Sequence, residues 1–322
     1  MQLAKREIET GPHGPAGPLT MAAFLGAVVI GGGNFPAVAL SNKDLEPLYG
    51  ATVRFAAAAV IMFAITFAGG YRLPRGRAAS GAAIYGLLGF GLSYGLLYFA
   101  VDGLGAGTTS VIVAAVPLVT LAIAVLHGQE RFSTRRVVGG LLVIAGFAII
   151  SAEKLGAADR PIYLIAGALG VLSIAASSVV IKGYPQAHPV TSNAIGMAAG
   201  AIFLAAGSLV FGEHWSMPAS GRTWLALIWL VGFGSVGLFI LFLYVIKNWT
   251  ASGTVYVVTL MPVVAIPFAA LILDEEVRPS VVVGASLVIA AVYVGALRRE
   301  PPRRDARLQE TPEPVPDPAS GT

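Results

Sequence analysis

Residues 232–237 read GFGSVG, the glycine spacing G-x-G-x-x-G of a dinucleotide-binding loop. Such a loop acts only where a strand leads in, a helix N-terminus receives the pyrophosphate and an acid about 20 residues on holds the ribose. Here the hexamer lies inside TWLALIWLVGFGSVGLFILFLYVI, residues 223–246, which carries neither charge nor turn signal, and VYVVTLMPVV downstream supplies no acid. Glycines in that setting serve instead to let apolar helices approach closely. GFGLSYG at 89–95 is a second stretch of the same kind. The remaining reactive chemistry is sparse. There is no cysteine, which excludes disulfides, thiolate metal sites and Cys nucleophiles. His13, His127, His188 and His214 are scattered without metal-ligand spacing. No nucleophile, base or metal set converges, so the chain is expected to have no catalytic residue, no metal and no cofactor, and not to be an enzyme.

One charge falls inside an apolar run. Arg54, in LYGATVRFAAAAV, stands near the outer end of its segment. A lone cation at bilayer depth costs about 2.5–3.5 kcal/mol or more, so it needs a partner or a path to water. Snorkelling or pairing with a helix-end carbonyl is one reading. Drawing in a substrate carboxylate, or gating the outer mouth, is the other. In GGGNFPAV, Asn34 and Pro36 are expected to break the first helix, because proline removes a backbone hydrogen bond and the freed carbonyl must face protein or a wet cavity. Pro117 and Pro262 are further hinge candidates. Tyr94 and Tyr98 are i,i+4 neighbours, with Tyr85 and Ser93 close by. Ser177 stands with Ser173 and Ser178 in SIAASSVV, and Trp229, Phe239, Tyr256 and Thr259 lie in the second half of the chain. Taken singly, these aromatics and serines fit ordinary bundle packing or an interfacial belt. Taken together, Asn34, Tyr94, Tyr98, Ser177, Trp229, Phe239, Tyr256 and Thr259 are expected to line an apolar cavity with a few polar groups, suited to an aromatic ring. Arg54, Pro36, Pro117 and Pro262 are the gating or hinge set. No acid falls mid-segment, the usual place for a proton-coupling carboxylate, so facilitated movement is expected. Glu130 and Glu275, near segment ends, are expected to partner loop cations.

The apolar runs must position these groups. The 322 residues are 56% hydrophobic and 12% charged, with a mean hydropathy of +0.77, where soluble domains carry about 25% charged residues. The bilayer is therefore the main solvent. The net charge of +4 comes from segment ends rather than an aromatic-interleaved basic patch, so no nucleic-acid partner is expected. Ten apolar runs follow: 20–40, 48–68, 79–101, 106–126, 135–152, 162–182, 190–211, 223–246, 252–273 and 279–297. Each approaches the length needed to cross ~30 Å of hydrocarbon. Residues 1–19 and the tail 298–322 are rich in Gly, Pro and charge and are expected to be disordered. No signal-peptide pattern opens the chain. With both ends cytoplasmic, fifteen of the 21 Lys and Arg residues fall inside, five outside, and Arg54 between. That bias predicts cytoplasmic termini and an even number of crossings.

The chain also repeats itself. GQERFSTRRVVGGLLVIAG (128–146) aligns with LDEEVRPSVVVGASLVIAA (273–291) at an offset of 145, which also pairs Pro117 with Pro262. LYFAVDGLGAGT matches LYVIKNWTASGT at 146, whereas the two GFG stretches match only at 143 and are not counted as equivalent. Each unit holds an odd number of segments, so the second copy must enter the membrane from the opposite face. The expected fold is an all-α membrane protein of ten transmembrane helices in two inverted five-helix repeats, 20–152 and 162–297, joined by 153–161. The five-plus-five plan, the GQERFS after a Pro-containing helix and the G-x-x-L-V-I-x-G helix resemble the drug/metabolite transporter superfamily of EamA type, and within it the YddG-type aromatic amino-acid exporters. DEEVRP stands in the second copy where the family has G-E-x. The resemblance implies ten helices in a bacterial inner membrane and export of Phe, Tyr, Trp or similar amphiphiles by alternating access. The partners are then a small-molecule solute and the lipid bilayer, and a monomer is expected. Drug-like or nucleotide-related metabolites are the alternative cargo, and a receptor or scaffold without transport is the alternative class.

Overall fold

The computed structural model describes residues 17–128, 134–154, 160–248 and 251–294, and these contain helices and connections but no strand. The helices are α1 (Pro18–Ser41), α2 (Pro47–Ala68), α3 (Arg77–Leu104), α4 (Ala106–Leu126), α5 (Thr134–Lys154), α6 (Arg160–Val180), α7 (Pro189–Val210), α8 (Gly221–Ile246), α9 (Ala251–Leu273) and α10 (Pro279–Val292). Among the described residues, seven helices are long and apolar enough to cross a membrane. Proline opens α1, α2, α7 and α10, where its missing N–H has no intrahelical role. A single residue, Gly105, joins α3 to α4; its φ of 85° is open to glycine and strained for other residues.

Packing pairs helices from the two halves of the chain. α2 lies on α7, α5 on α10, α1 on α8 and α9, and α6 on α3 and α4. Exchanging each helix with the one five places along leaves this set of pairs unchanged. α2 and α7 run antiparallel. At one end the Leu48 and Tyr49 amides of α2 donate to the Glu213 carboxylate beyond α7, at 3.0 and 2.7 Å. At the other end Tyr71, beyond α2, stacks on His188, just before α7, with ring centroids 4.1 Å apart. α4 and α9 also meet start to end, for the Ala106 and Gly107 amides donate to Glu275, at 2.7 and 3.1 Å. Small residues set the closest approaches. A Cβ on Gly86 of α3 would strike the backbone of Gly196 in α7, and one on Gly32 of α1 would strike Val264 and the Met261 carbonyl of α9. Val60, Ile202, Leu209, Leu225 and Leu271 point outward and exposed, as residues facing lipid do.

Several expectations are corrected. α1 does not break at Pro36; it is continuous from Pro18 to Ser41. Proline removes one hydrogen bond, and Gly31, Gly32 and Gly33 pack against α8 and α9 closely enough to hold the helix across it. Glu275 partners backbone amides at a helix start rather than loop cations, because those N–H groups have no intrahelical acceptor. α1 begins at Pro18, α5 runs to Lys154 and α6 begins at Arg160. Residues 1–16, Glu130 and the tail 298–322 lie outside the described residues.

Gly86→Leu should therefore lower stability by about 1–3 kcal/mol through overpacking, seen as a lower thermal midpoint of the detergent-purified protein. Gly140→Ala, whose Cβ meets nothing within 4 Å, should leave the midpoint unchanged or raise it. A second test concerns Asp44, between α1 and α2. The Thr223 hydroxyl and Ser220 amide donate to it at 2.7 and 2.8 Å. The Thr223 hydroxyl first, then the Ser220 amide, hold its carboxyl below the ordinary value of 3.8. A depressed folded pKa stabilises above the unfolded value and loses that contribution as pH falls through the folded one. Asp44→Asn should accordingly remove part of the acid-side fall in thermal midpoint below about pH 4.

Candidate solute cavity

A cavity of about 510 Å³ lies between α1, α2, α3, α4, α6, α7, α8 and α9. Its volume falls in the range of small-molecule pockets, about 300–1,000 Å³. Phe35, Phe55, Tyr85, Phe90, Tyr94, Tyr98, Phe239 and Phe242 supply aromatic walls. Asn34, Arg54, Ser177, Ser178, Asn193 and Ser235 supply the polar ones, and among the described residues the lining includes neither Asp nor Glu. Phe55 packs edge-on to Tyr94, with centroids 4.7 Å apart, and Tyr85 edge-on to Phe90 at 5.5 Å.

Two irregular stretches shape this cavity. α3 widens to a π-helix over Leu87–Leu92 and α8 over Trp229–Gly237. A π-turn disturbs the i→i−4 ladder and frees carbonyls from it. Side chains from the other half of the chain meet both. The Ser173 hydroxyl of α6 donates to the Leu88 carbonyl at 2.8 Å. Asn34 Nδ2 of α1 donates to the Gly234 carbonyl at 3.1 Å. Arg54 Nη2 of α2 donates to that same carbonyl at 3.1 Å, and Arg54 Nε donates to Ser235 Oγ at 3.0 Å. GFGSVG is thus no phosphate loop; it lies mid-helix and offers a carbonyl, not amides. The two GFG stretches occupy the same irregular element of α3 and α8, despite the sequence offset that had kept them apart.

Arg54 is 1% exposed, so it does not snorkel. Its guanidinium lies 5.0 Å from the ring centroids of both Phe55 and Tyr94, in cation–π range. Its Nη1 has no partner, and neither do Asn34 Oδ1 or Trp229 Nε1.

The structure brings Asn34, Tyr94, Tyr98, Ser177 and Phe239 to the cavity together with Arg54. Trp229 and Thr259 are not among the described residues that line it. Trp229 turns onto Phe233, with centroids 5.3 Å apart, and over Gly33. Thr259 is buried within the packing of α9. The Tyr256 side chain lies outside the described residues. Pro36 is adjacent to the lining without entering it. The two repeat prolines behave differently. α4 is interrupted at Ala114–Ala115, with Pro117 in the first turn of the part that follows, whereas α9 runs unbroken past Pro262. Sequence reasoning missed Phe55, Asn193 and Ser235. Ser235 sits inside the hexamer first weighed as a nucleotide loop, and Asn193 is an amide within an apolar run.

The pattern of the EamA-like transporter family matches residues 18–152 and again residues 161–296. The chain belongs to the EamA-like transporter family. The two matched spans correspond to α1–α5 and α6–α10. Among its relatives is YedA of Escherichia coli K12, described as an uncharacterized inner membrane transporter, 28% identical over 247 residues that cover 76% of this chain and 79% of that protein. YoaV of Bacillus subtilis, described as an uncharacterized transporter, is 24% identical over 285 residues, covering 85% of this chain and 95% of that protein. One solved crystal structure shares the fold with a TM-score of 0.61 at 17% identity, covering 86% of this chain and 96% of the other. Membership in the family places the chain among membrane transporters.

The Gly234 junction can be tested directly. A Cβ on Gly234 would collide with the Asn34 carboxamide. Gly234→Ala should cost about 1–3 kcal/mol, and adding Asn34→Ala should restore most of it, read as a double-mutant cycle of thermal midpoints.

Proposed function

We propose that this protein exports small amphipathic organic solutes with an aromatic body, aromatic amino acids among them, from the cytoplasm by alternating access through the cavity. The single observation that carries the reading is the cavity itself: aromatic walls and a few fixed polar groups, drawn from α1–α4 and α6–α9. In this reading the chain crosses a bacterial inner membrane ten times, with cytoplasmic termini, as two inverted five-helix repeats that act as a monomer. Its bounds are close to those of the two family matches. The antiparallel pairs α2–α7 and α4–α9, and the pairing scheme unchanged on exchange of halves, support the inversion. The excess of Lys and Arg in the loops assigned to the cytoplasm supports the orientation. Sites at repeat interfaces near the midplane suit rocking of one half against the other. Asn34, Tyr94, Tyr98, Ser177 and Phe239 are the solute contacts, and Arg54 and Pro117 are the groups whose surroundings change as the halves move.

In purified proteoliposomes, labelled Phe, Tyr or Trp should equilibrate about tenfold faster than in protein-free vesicles, and an imposed pH gradient should not raise the plateau. Correctly inserted protein that moves none of these solutes, nor drug-like or nucleotide-related ones, overturns the reading in favour of a receptor or scaffold.

A further inference from the structure

We infer that the cavity selects monoanionic aromatic carboxylates over zwitterionic amino acids, with Arg54 as the residue that receives the carboxylate; this rests on the transport reading above for its biological meaning, though not for its chemistry. The inference begins with charge. Arg54 is buried and held on one edge by two neutral groups, the Ser235 hydroxyl and the Gly234 carbonyl. Both leave its unit charge uncompensated. Among the described residues, the lining of the cavity it faces supplies no carboxylate. An isolated cation at that depth is unfavourable by several kcal/mol, and an anion beside it removes most of that cost.

Geometry narrows the anion. Nε and Nη2 are occupied, and Nη1 is buried and without a partner. The Tyr98 hydroxyl, also in the lining and on a side chain 1% exposed, lies close enough to the Arg54 guanidinium to interact with it and has no other hydrogen-bond partner among the described residues. It lies one helical turn along α3 from Tyr94, whose ring flanks the guanidinium. One carboxylate oxygen on Nη1 and the other accepting from Tyr98 would satisfy both donors with charge-assisted bonds. The aromatic body of the solute then meets Phe90, Tyr94 and Phe239, all in the lining.

The α-ammonium of an amino acid fares worse. Arg54 with a monoanion is neutral, whereas Arg54 with a zwitterion leaves one net positive charge inside an apolar wall. Asn34 Oδ1 is an unpartnered acceptor, and it offers a dipole rather than a counter-charge. Burial of an unpaired ammonium is the larger penalty. The favoured class is therefore an arylalkanoate or aryl-2-oxo acid with a single negative charge.

The test is isothermal titration of the full-length protein in lipid nanodiscs near pH 7 with three probes of one shape: 3-phenylpropionate, phenylalanine and phenethylamine. Phenylpropionate should bind about tenfold or more tightly than phenylalanine, and phenethylamine should not bind. Arg54→Gln should abolish the preference for the anion, while Arg54→Lys should keep its order. If Arg54→Gln fails to fold by thermal midpoint, the wild-type probe series and the Lys variant decide. Phenylalanine binding as tightly as phenylpropionate, or an anion preference that survives in folded Arg54→Gln, overturns the inference. The two readings fail separately. Anion-selective binding with no flux of any probe in proteoliposomes would sink the transport reading and leave this one standing. Flux of aromatic amino acids with equal affinity for zwitterion and anion would do the reverse.

Discussion

A single backbone oxygen, that of Gly234, fixes the arrangement of three helices around the cavity. This carbonyl lies in the π-helical turn of α8, and Asn34 of α1 and Arg54 of α2 both donate to it. In the absence of water a freed carbonyl must be met by protein, and a buried guanidinium must be met by acceptors. Each difficulty answers the other. Glycine is required at that position because a side chain there would occupy the place of the Asn34 carboxamide. Loss of the carbonyl's orientation would leave Arg54 with one acceptor, the Ser235 hydroxyl.

The same device occurs in α3, where Ser173 of α6 meets the Leu88 carbonyl at the other π-turn. In both cases the irregular helix belongs to one half of the chain and the polar side chain to the other half or to a helix packed against it. The halves are therefore joined by directional bonds at the cavity as well as by glycine contacts such as Gly86 with Gly196. The two junctions differ in charge. A hydroxyl serves α3, and an amide together with a guanidinium serves α8. This difference makes the cavity electrostatically lopsided although its helices pair symmetrically.

Much of this was legible in the sequence, because bilayer solvation writes itself plainly into composition. The apolar runs, the oddness of Arg54 and the repeat of 128–146 in 273–291 each follow from one strong physical preference. The π-turns were not legible. No residue type demands a π-turn, and GFG fits a close helix contact equally well. Nor does residue type alone show that Trp229 turns onto Phe233. Pro36 was misjudged for a related reason. A proline removes a hydrogen bond locally, but whether the helix breaks depends on the packing of the GGG before it, a non-local matter. Pro117 and Pro262 align in sequence yet differ in effect, since only α4 is interrupted beside its proline.

The carboxylates of Glu213, Asp44 and Glu275 sit at one end of the bundle, and each reaches across to the first amides of a helix in the opposite half. Bonds of that charged kind are shorter and stronger than those between neutral groups. Parting the halves at that end means unclasping all three and rehydrating both sides. Under the transport reading proposed above, that end would open only when all three come apart together, so the acids setting its threshold stand outside the cavity lining.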